Sequence, residues 1–218
     1  MANKKEKIAL FDFCETIVSF QSADRYARYV VDNFATPIVR FRHRLYVLQE
    51  KFHLASRFNK YFHTRFITKE LLLKQLKGVK YEVMDLAAKE YYNMIIRPNL
   101  IPETIVELMR LQKDGYRIVI VSAGYDIYIK YFAKEFGINT EDVHANKLLF
   151  KDQEFCGGYD KDCIGEVKVE ILNENFRKED VYVVAYTDSE SDLPLLNWAD
   201  EGYWVKRNAD SFKIEQYK

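Results

Sequence analysis

The sequence predicts an α/β fold: a doubly wound parallel sheet interrupted early by an α-helical insertion. Three observations carry this. Short apolar runs rich in β-branched and aromatic residues recur at Ile8–Phe11, Arg117–Val121, Val181–Ala185 and Gly202–Val205. Helical patterns separate them, and strands alternating with helices argue for a parallel sheet covered on both faces. Between the first two runs lie roughly a hundred residues, far more than the dozen or so a crossover requires.

The elements follow in order. Ile8–Phe11 is the first strand and stops at Asp12. Ser22 to Ile96 reads as several helices: Pro37 breaks one, Thr68 caps another before KELLLKQLK, and Tyr81–Ile96 is a third. Pro98 and Pro102 mark the return to the core. Residues 20–97 are therefore assigned to a helical cap over the strand ends, and residues 1–19 and 98–218 to the core. Pro102–Lys113 begins with proline at a helix N-terminus and stops before Gly115, and Asp126–Phe136 stops at Gly137. Ligands of such sheets sit at the carboxyl ends of the strands. There the polar residues Asp12, Ser122 and Asp188 gather.

Composition narrows the function. The 218 residues can bury a substantial core, and 33 Lys/Arg balance 33 Asp/Glu, so no global field draws the chain to nucleic acid or membrane. No apolar stretch approaches the ~20 residues of a membrane span, and no apolar signal region follows MANKKEK. Cys14, Cys156 and Cys163 are odd in number and match no zinc spacing, which predicts a reduced cytoplasmic protein. Cys156 and Cys163 flank GGYDKD and are read as packing residues. The high aromatic content is also read as packing. Charge is uneven locally: from Ile38 to Lys80, eleven Lys/Arg face only Glu50 and Glu70. That excess is either a solvated helical face or a basic lid for an anionic substrate, lipid or nucleic acid. The four histidines, His43, His53, His63 and His144, do not cluster in sequence.

Four polar clusters fall at the expected strand ends: Asp12 with Thr16; Ser122-Ala123-Gly124; Lys168 in CIGEVKVEIL; and Asp188-Ser189-Glu190-Ser191-Asp192. Each is weak alone. In this order the chain resembles the haloacid dehalogenase superfamily of phosphohydrolases, in the branch around phosphoserine phosphatase. DFCET is similar to the first motif, Asp-x-Asp-x-Thr; VSAG to the second; CIGEVK to the third; and YTDSESDLPLL to the fourth, with Thr187 where glycine is common.

The resemblance implies a Rossmann-like core and a set of roles. Asp12 would be a nucleophile forming an aspartyl-phosphate. Asp12, Asp188 and the backbone carbonyl of Cys14 would hold Mg²⁺, with Asp192 orienting its waters or acting as a ligand. Thr16, Ser122 and the amides of Ala123 and Gly124 would bind phosphate oxygens, and Lys168 would neutralise charge. The first cap helix would face the site, which makes Arg25 a candidate for substrate contact; the other reading there is capping of the helix by Ser22. The implied substrate is a small phosphorylated metabolite, with a sugar phosphate or polysaccharide precursor suiting a basic cap equally.

One departure matters. Cys14 stands where the family's acid/base aspartate belongs. A thiol of ordinary pKa ~8.5 can donate a proton at pH 7 but activates water poorly. Glu15 is adjacent, but on an extended loop its side chain points elsewhere. Three readings follow: a hydrolase whose substrate needs little leaving-group protonation, a phosphate-ligand or partner-binding protein without turnover, and a phosphotransferase with a long-lived aspartyl-phosphate.

Overall fold

The computed structural model describes residues 5–41, 43–44, 65–209 and 211–218, with burial of side chains described from residue 70 onward in the second helix. A six-stranded sheet runs β3-β2-β1-β6-β7-β8, parallel except for the last pair. Its strands are β1 (Glu6–Phe11), β2 (Arg117–Tyr125), β3 (Val143–Asn146), β6 (Val181–Thr187), β7 (Glu201–Asn208) and β8 (Ser211–Gln216). A separate hairpin pairs β4 (Leu148–Lys151) with β5 (Glu154–Tyr159). The four expected strands are all present, and β3, β4, β5 and β8 are additions.

Alternation along the strands builds two cores, because successive side chains point to opposite faces. Ala9, Phe11, Ile118 and Ile120 join Leu108 and Leu111 of α4 (Pro102–Lys113) and Ile129 and Phe132 of α5 (Asp126–Glu135) in one cluster. Ile8, Leu10, Val119 and Val121 join Leu172 of α6 (Glu166–Asn175) and Leu195 and Leu196 of α7 (Leu193–Trp198) in the other. Helices thus cover both faces. Phe11, Tyr186 and Tyr203 stack across β1, β6 and β7, with ring centroids 4.5 and 4.9 Å apart.

The segment between β1 and β2 is mainly helical over its described residues from Ser22 onward. Its helices are α1 (Ser22–Phe34), α2 (Arg65–Gln75) and α3 (Tyr81–Tyr91), the last running on into a π-helical turn at Tyr92–Ile96. Residues 37–41 are also helical. Thr68 therefore lies inside α2 rather than capping it. α1 buries Ala23, Tyr26, Ala27, Val30 and Val31, the i, i+3, i+4 stripe of an amphipathic helix. Its entry and exit are tied together: Ser19 N donates to Asn99 O at 3.0 Å and Ile101 N to Ile17 O at 2.8 Å. The β4–β5 hairpin locks onto the segment after α2, with Gly78 N donating to Phe155 O and Phe155 N to Val79 O, both at 2.9 Å.

Much of the basic excess, including Arg42, Lys51, Arg57, Lys60 and the side chains of Arg65 and Lys69, lies outside the described residues, as do His53 and His63. No helix among the described residues is long and apolar enough to cross a membrane.

Candidate active site

The carboxyl ends of β1, β2 and β6 meet at a cavity of ≈ 260 Å³. Asp12, Cys14, Ser122, Ala123, Lys168, Asp188 and Asp192 line it. The topology explains the meeting: β1 lies between β2 and β6, so the residues that follow all three strands emerge side by side.

Lys168 is the centre of the arrangement. It is 2% exposed, and its Nζ donates to Asp12 Oδ1 at 2.9 Å and to Asp192 Oδ2 at 2.6 Å. Burial works to lower the Lys168 ammonium, but the charges of Asp12 and Asp192 outweigh it and raise its pKa. Burial pushes the Asp12 carboxyl up, against the pull of Lys168. Asp188 is pushed up to about 7, first by burial and then by the charge of Asp12. Thus three carboxylates face one ammonium. Asp192 Oδ1 is buried with no hydrogen-bond partner among the described residues, although its other oxygen also accepts from Thr187 Oγ1 at 2.8 Å. Thr187, in the place of a common glycine, binds the fourth motif together.

Several expectations are corrected. Thr16 is fully buried and off the cavity lining, and its hydroxyl donates to Asp188 Oδ1 at 3.0 Å. The second motif lies inside β2 rather than after it, where the pairing with β3 slips between Ser122 and Tyr125. Ser122 Oγ accepts from Gly124 N at 3.1 Å, so that amide is already engaged. Gly124 is off the lining as well. What requires glycine is the Tyr128 hydroxyl, 2.8 Å from where a Cβ would stand.

Arg25 is not brought to this site. It is exposed, lies over the Phe20 ring at 4.2 Å, and lines a second cavity with Glu15 and Arg207. Its near neighbours Gln21, Ala23 and Asp24 line the main cavity instead. Glu15 has a left-handed φ of 56°, accepts from the Gln21 side chain and lines the second cavity rather than the main one. Cys163 is buried and its thiol pushed up to about 12, chiefly by burial, whereas Cys156 is exposed rather than a core residue. His43 pairs with Gln75, and His144 lies half-buried beside a different cavity.

Residues that the sequence reading missed stand behind Cys14. Ser22 does not cap α1; Gln21 holds the cap position, and Ser22 is fully buried. Its Oγ lies 3.0 Å from Cys14 Sγ and 2.6 Å from Tyr128 Oη. The backbone N–H of Tyr125 donates to Tyr128 Oη at 3.0 Å, and Tyr91 Oη donates to Ser22 O at 2.9 Å. Tyr26, Tyr91, Tyr125 and Tyr128 pack edge-on or tilted around this network. No short-range pattern joins Ser22 to Tyr128, 106 positions away. Asp24 and Asp162, both partly exposed, complete the cavity's acidic lining.

The family model described as haloacid dehalogenase-like hydrolase matches residues 9–197. The chain belongs to this family, as the order of its four motifs implied. It is 26% identical over 201 residues to phosphoserine phosphatase of Methanocaldococcus jannaschii, an alignment spanning 90% of this chain and 83% of that protein. It is 24% identical over 131 residues to phosphoserine phosphatase of Drosophila melanogaster, spanning 56% of this chain and 47% of that one. A protein with unknown function from Bordetella pertussis Tohama I shares the fold with a TM-score of 0.73 at 21% identity, covering 91% of this chain and 89% of its own. A phospho-aspartyl intermediate analogue of phosphoserine phosphatase matches with a TM-score of 0.53 at 24% identity, covering 91% and 86%.

Proposed function

We propose that the chain is a Mg²⁺-dependent phosphohydrolase that cleaves a small phosphate monoester through an aspartyl-phosphate on Asp12, with Cys14 in the acid/base position. The carrying observation is the buried Lys168 ammonium bridging Asp12 and Asp192 on the wall of a cavity at the strand ends. A surface lysine has no reason to be buried between two carboxylates. A lysine that must steady a nucleophile and neutralise an arriving phosphate does.

The residues divide the work. An Asp12 oxygen attacks phosphorus as the bond to the leaving oxygen breaks, and that oxygen takes the Cys14 S–H proton. Water then attacks the aspartyl-phosphate, its proton returns to the Cys14 sulfur, and phosphate leaves with Asp12 restored. Ser122 and Ala123 border the phosphate's place.

The donor set suits a hard divalent cation. Asp12 and Asp188 carry charge that Lys168 alone does not balance, and Asp192 keeps a buried oxygen with no partner among the described residues. No three His, Cys, Asp or Glu side chains converge as a metal cluster among the described residues. Mg²⁺ asks for no more than one or two carboxylates, since it keeps several waters. Asp12, Asp188 and the Cys14 carbonyl would hold it, and bound there it would offset negative charge on the transferring phosphoryl group.

Residues 20–97 act on this reading as the cap that selects substrate. Among the described lining residues Lys168 is the sole cation, whereas Asp24 and Asp162 add carboxylates. These described residues favour an organic part that is neutral or cationic. Phosphoserine, the substrate named for the relatives, belongs in any screen. The thiol also favours a second reading: a weak water-activating group lengthens the life of the aspartyl-phosphate, and an acceptor other than water would make the protein a phosphotransferase.

A phosphate-release screen with Mg²⁺ tests the proposal. Turnover that disappears in a folded Asp12→Asn variant and is lost reversibly with EDTA supports it. Undiminished turnover in Asp12→Asn rules out the covalent route.

A further inference from the structure

The four-atom chain behind Cys14 has a direction. Tyr128 Oη accepts a hydrogen from Tyr125 N, and the only other polar atom on it among the described residues is Ser22 Oγ, at 2.6 Å. The phenol's own hydrogen therefore goes to Ser22. Ser22 Oγ, now an acceptor from Tyr128, turns its hydrogen to Cys14 Sγ at 3.0 Å. The reverse order would leave the buried Tyr128 hydrogen with no acceptor among these residues, a costly state for a phenol with no exposure.

We propose that Ser22 and Tyr128 are positioning residues for the acid/base step: they make the Cys14 sulfur a hydrogen-bond acceptor on its buried side and so aim its S–H at the leaving oxygen in the cavity. This rests on the role given to Cys14 in the proposed function. The packing supports a dedicated device. Ser22 and Tyr128 have no exposure, Tyr91 holds the Ser22 backbone, and the absence of a side chain at Gly124 makes room for the Tyr128 hydroxyl. The relay also joins two parts of the chain, since Ser22 opens α1 in the helical insertion and Tyr128 belongs to α5 of the core. Cys14 stands at the end of this relay and is reached through Ser22, so its orientation depends on the insertion being docked.

The test uses the full chain with Mg²⁺, one alkyl phosphate that the protein turns over and one aryl phosphate. Only the alkyl leaving group needs a proton. Tyr128→Phe and Ser22→Ala should each lower kcat on the alkyl phosphate about 3–10-fold, the rate equivalent of one hydrogen bond. KM and the aryl rate should stay within about 2-fold. In a Cys14→Ala background neither substitution should cost anything further. A loss shared equally by both substrates, or persisting in that background, would overturn the positioning role while leaving the hydrolase intact. No phosphate release from the unaltered protein on any substrate would overturn the proposed function itself, and this inference with it. The infrared S–H band of Cys14, isolated by difference against Cys14→Ala, reads the direction without turnover. If sulfur accepts from Ser22, removing the Ser22 hydroxyl leaves the band without an upward shift. A clear upward shift would mean that the thiol had been donating to Ser22, and would overturn the proposal.

Discussion

At the scale of single residues, the proposed mechanism makes the thiol at position 14 the group that would limit how fast this site works. The acidic side chain that the family pattern places there would be an acceptor for the Ser22 hydroxyl as well, so the pocket behind Cys14 is already wired for a carboxylate. Cys14→Asp should therefore fold and raise kcat on alkyl phosphates, up to the ~10²–10⁴-fold range of acid–base catalysis. The gain on aryl phosphates should be smaller. A fall in alkyl turnover would show that the thiol is adapted to its own substrate rather than a weakened acid. Asp12 and Asp188 were legible in the sequence because each directly follows a recognisable strand, whereas Lys168, inside α6, and Asp192 were legible only through the order of the motifs. Thr16 and Gly124 are expected at the phosphate; in the folded chain Thr16 hydrogen-bonds Asp188, and the missing side chain of Gly124 leaves room for the Tyr128 hydroxyl. Such contacts depend on side-chain direction, which a linear pattern does not carry.

At the scale of elements, the second strand and the helix after it are coupled through a few ångströms. A Cβ on Gly124 would stand 2.8 Å from Tyr128 Oη and 3.0 Å from Ile129 Cδ1. Gly124→Ala should cost about 1–3 kcal/mol, the usual penalty for overpacking, as measured by urea unfolding. Much of that cost should vanish in a Tyr128→Phe background, because the nearer of the two contacts is the hydroxyl. An equal cost in both backgrounds would place the strain elsewhere. The β4–β5 hairpin was not legible. Its turn residues Asp152 and Gln153 both take positive φ, 51° and 64°, as the favoured two-residue hairpin turn requires, yet neither is the glycine that usually announces it. β3 was hidden for another reason: it is four residues long and half-buried. Parallel pairing with β2 makes it a strand, and no apolar run does.

At the scale of the whole molecule, the sheet order brings three strand ends together, and the acidity of the resulting cavity is a property of the assembly rather than of any motif. If Asp12 and Asp188 hold Mg²⁺, the cation binds only the folded chain and stabilises it by mass action. At about 100 times its Kd that amounts to ~2.7 kcal/mol, or about 5–10 °C in Tm for a chain of this size. Asp188→Asn should remove most of the shift, read by thermal denaturation with and without Mg²⁺. A shift of the same size in Asp188→Asn would move the cation site elsewhere. The fold class was readable because buried parallel strands are written as apolar runs, and the long gap between β1 and β2 announced the insertion. The aromatic content became intelligible only in three dimensions, as tyrosines from α1, α3, β2 and α5 converge behind one cysteine.

The central claim is that phosphate passes through Asp12. Incubating the protein with Mg²⁺ and an aryl phosphate, quenching in acid within the first turnovers and mapping the peptides by mass tests it most directly. A phosphoryl adduct is expected on the peptide that carries Asp12, formed in a burst and absent from Asp12→Asn. Its lifetime should shorten in Cys14→Asp, where a carboxylate activates water. Steady phosphate release with no adduct at any quench time, or an adduct on another residue, would contradict it.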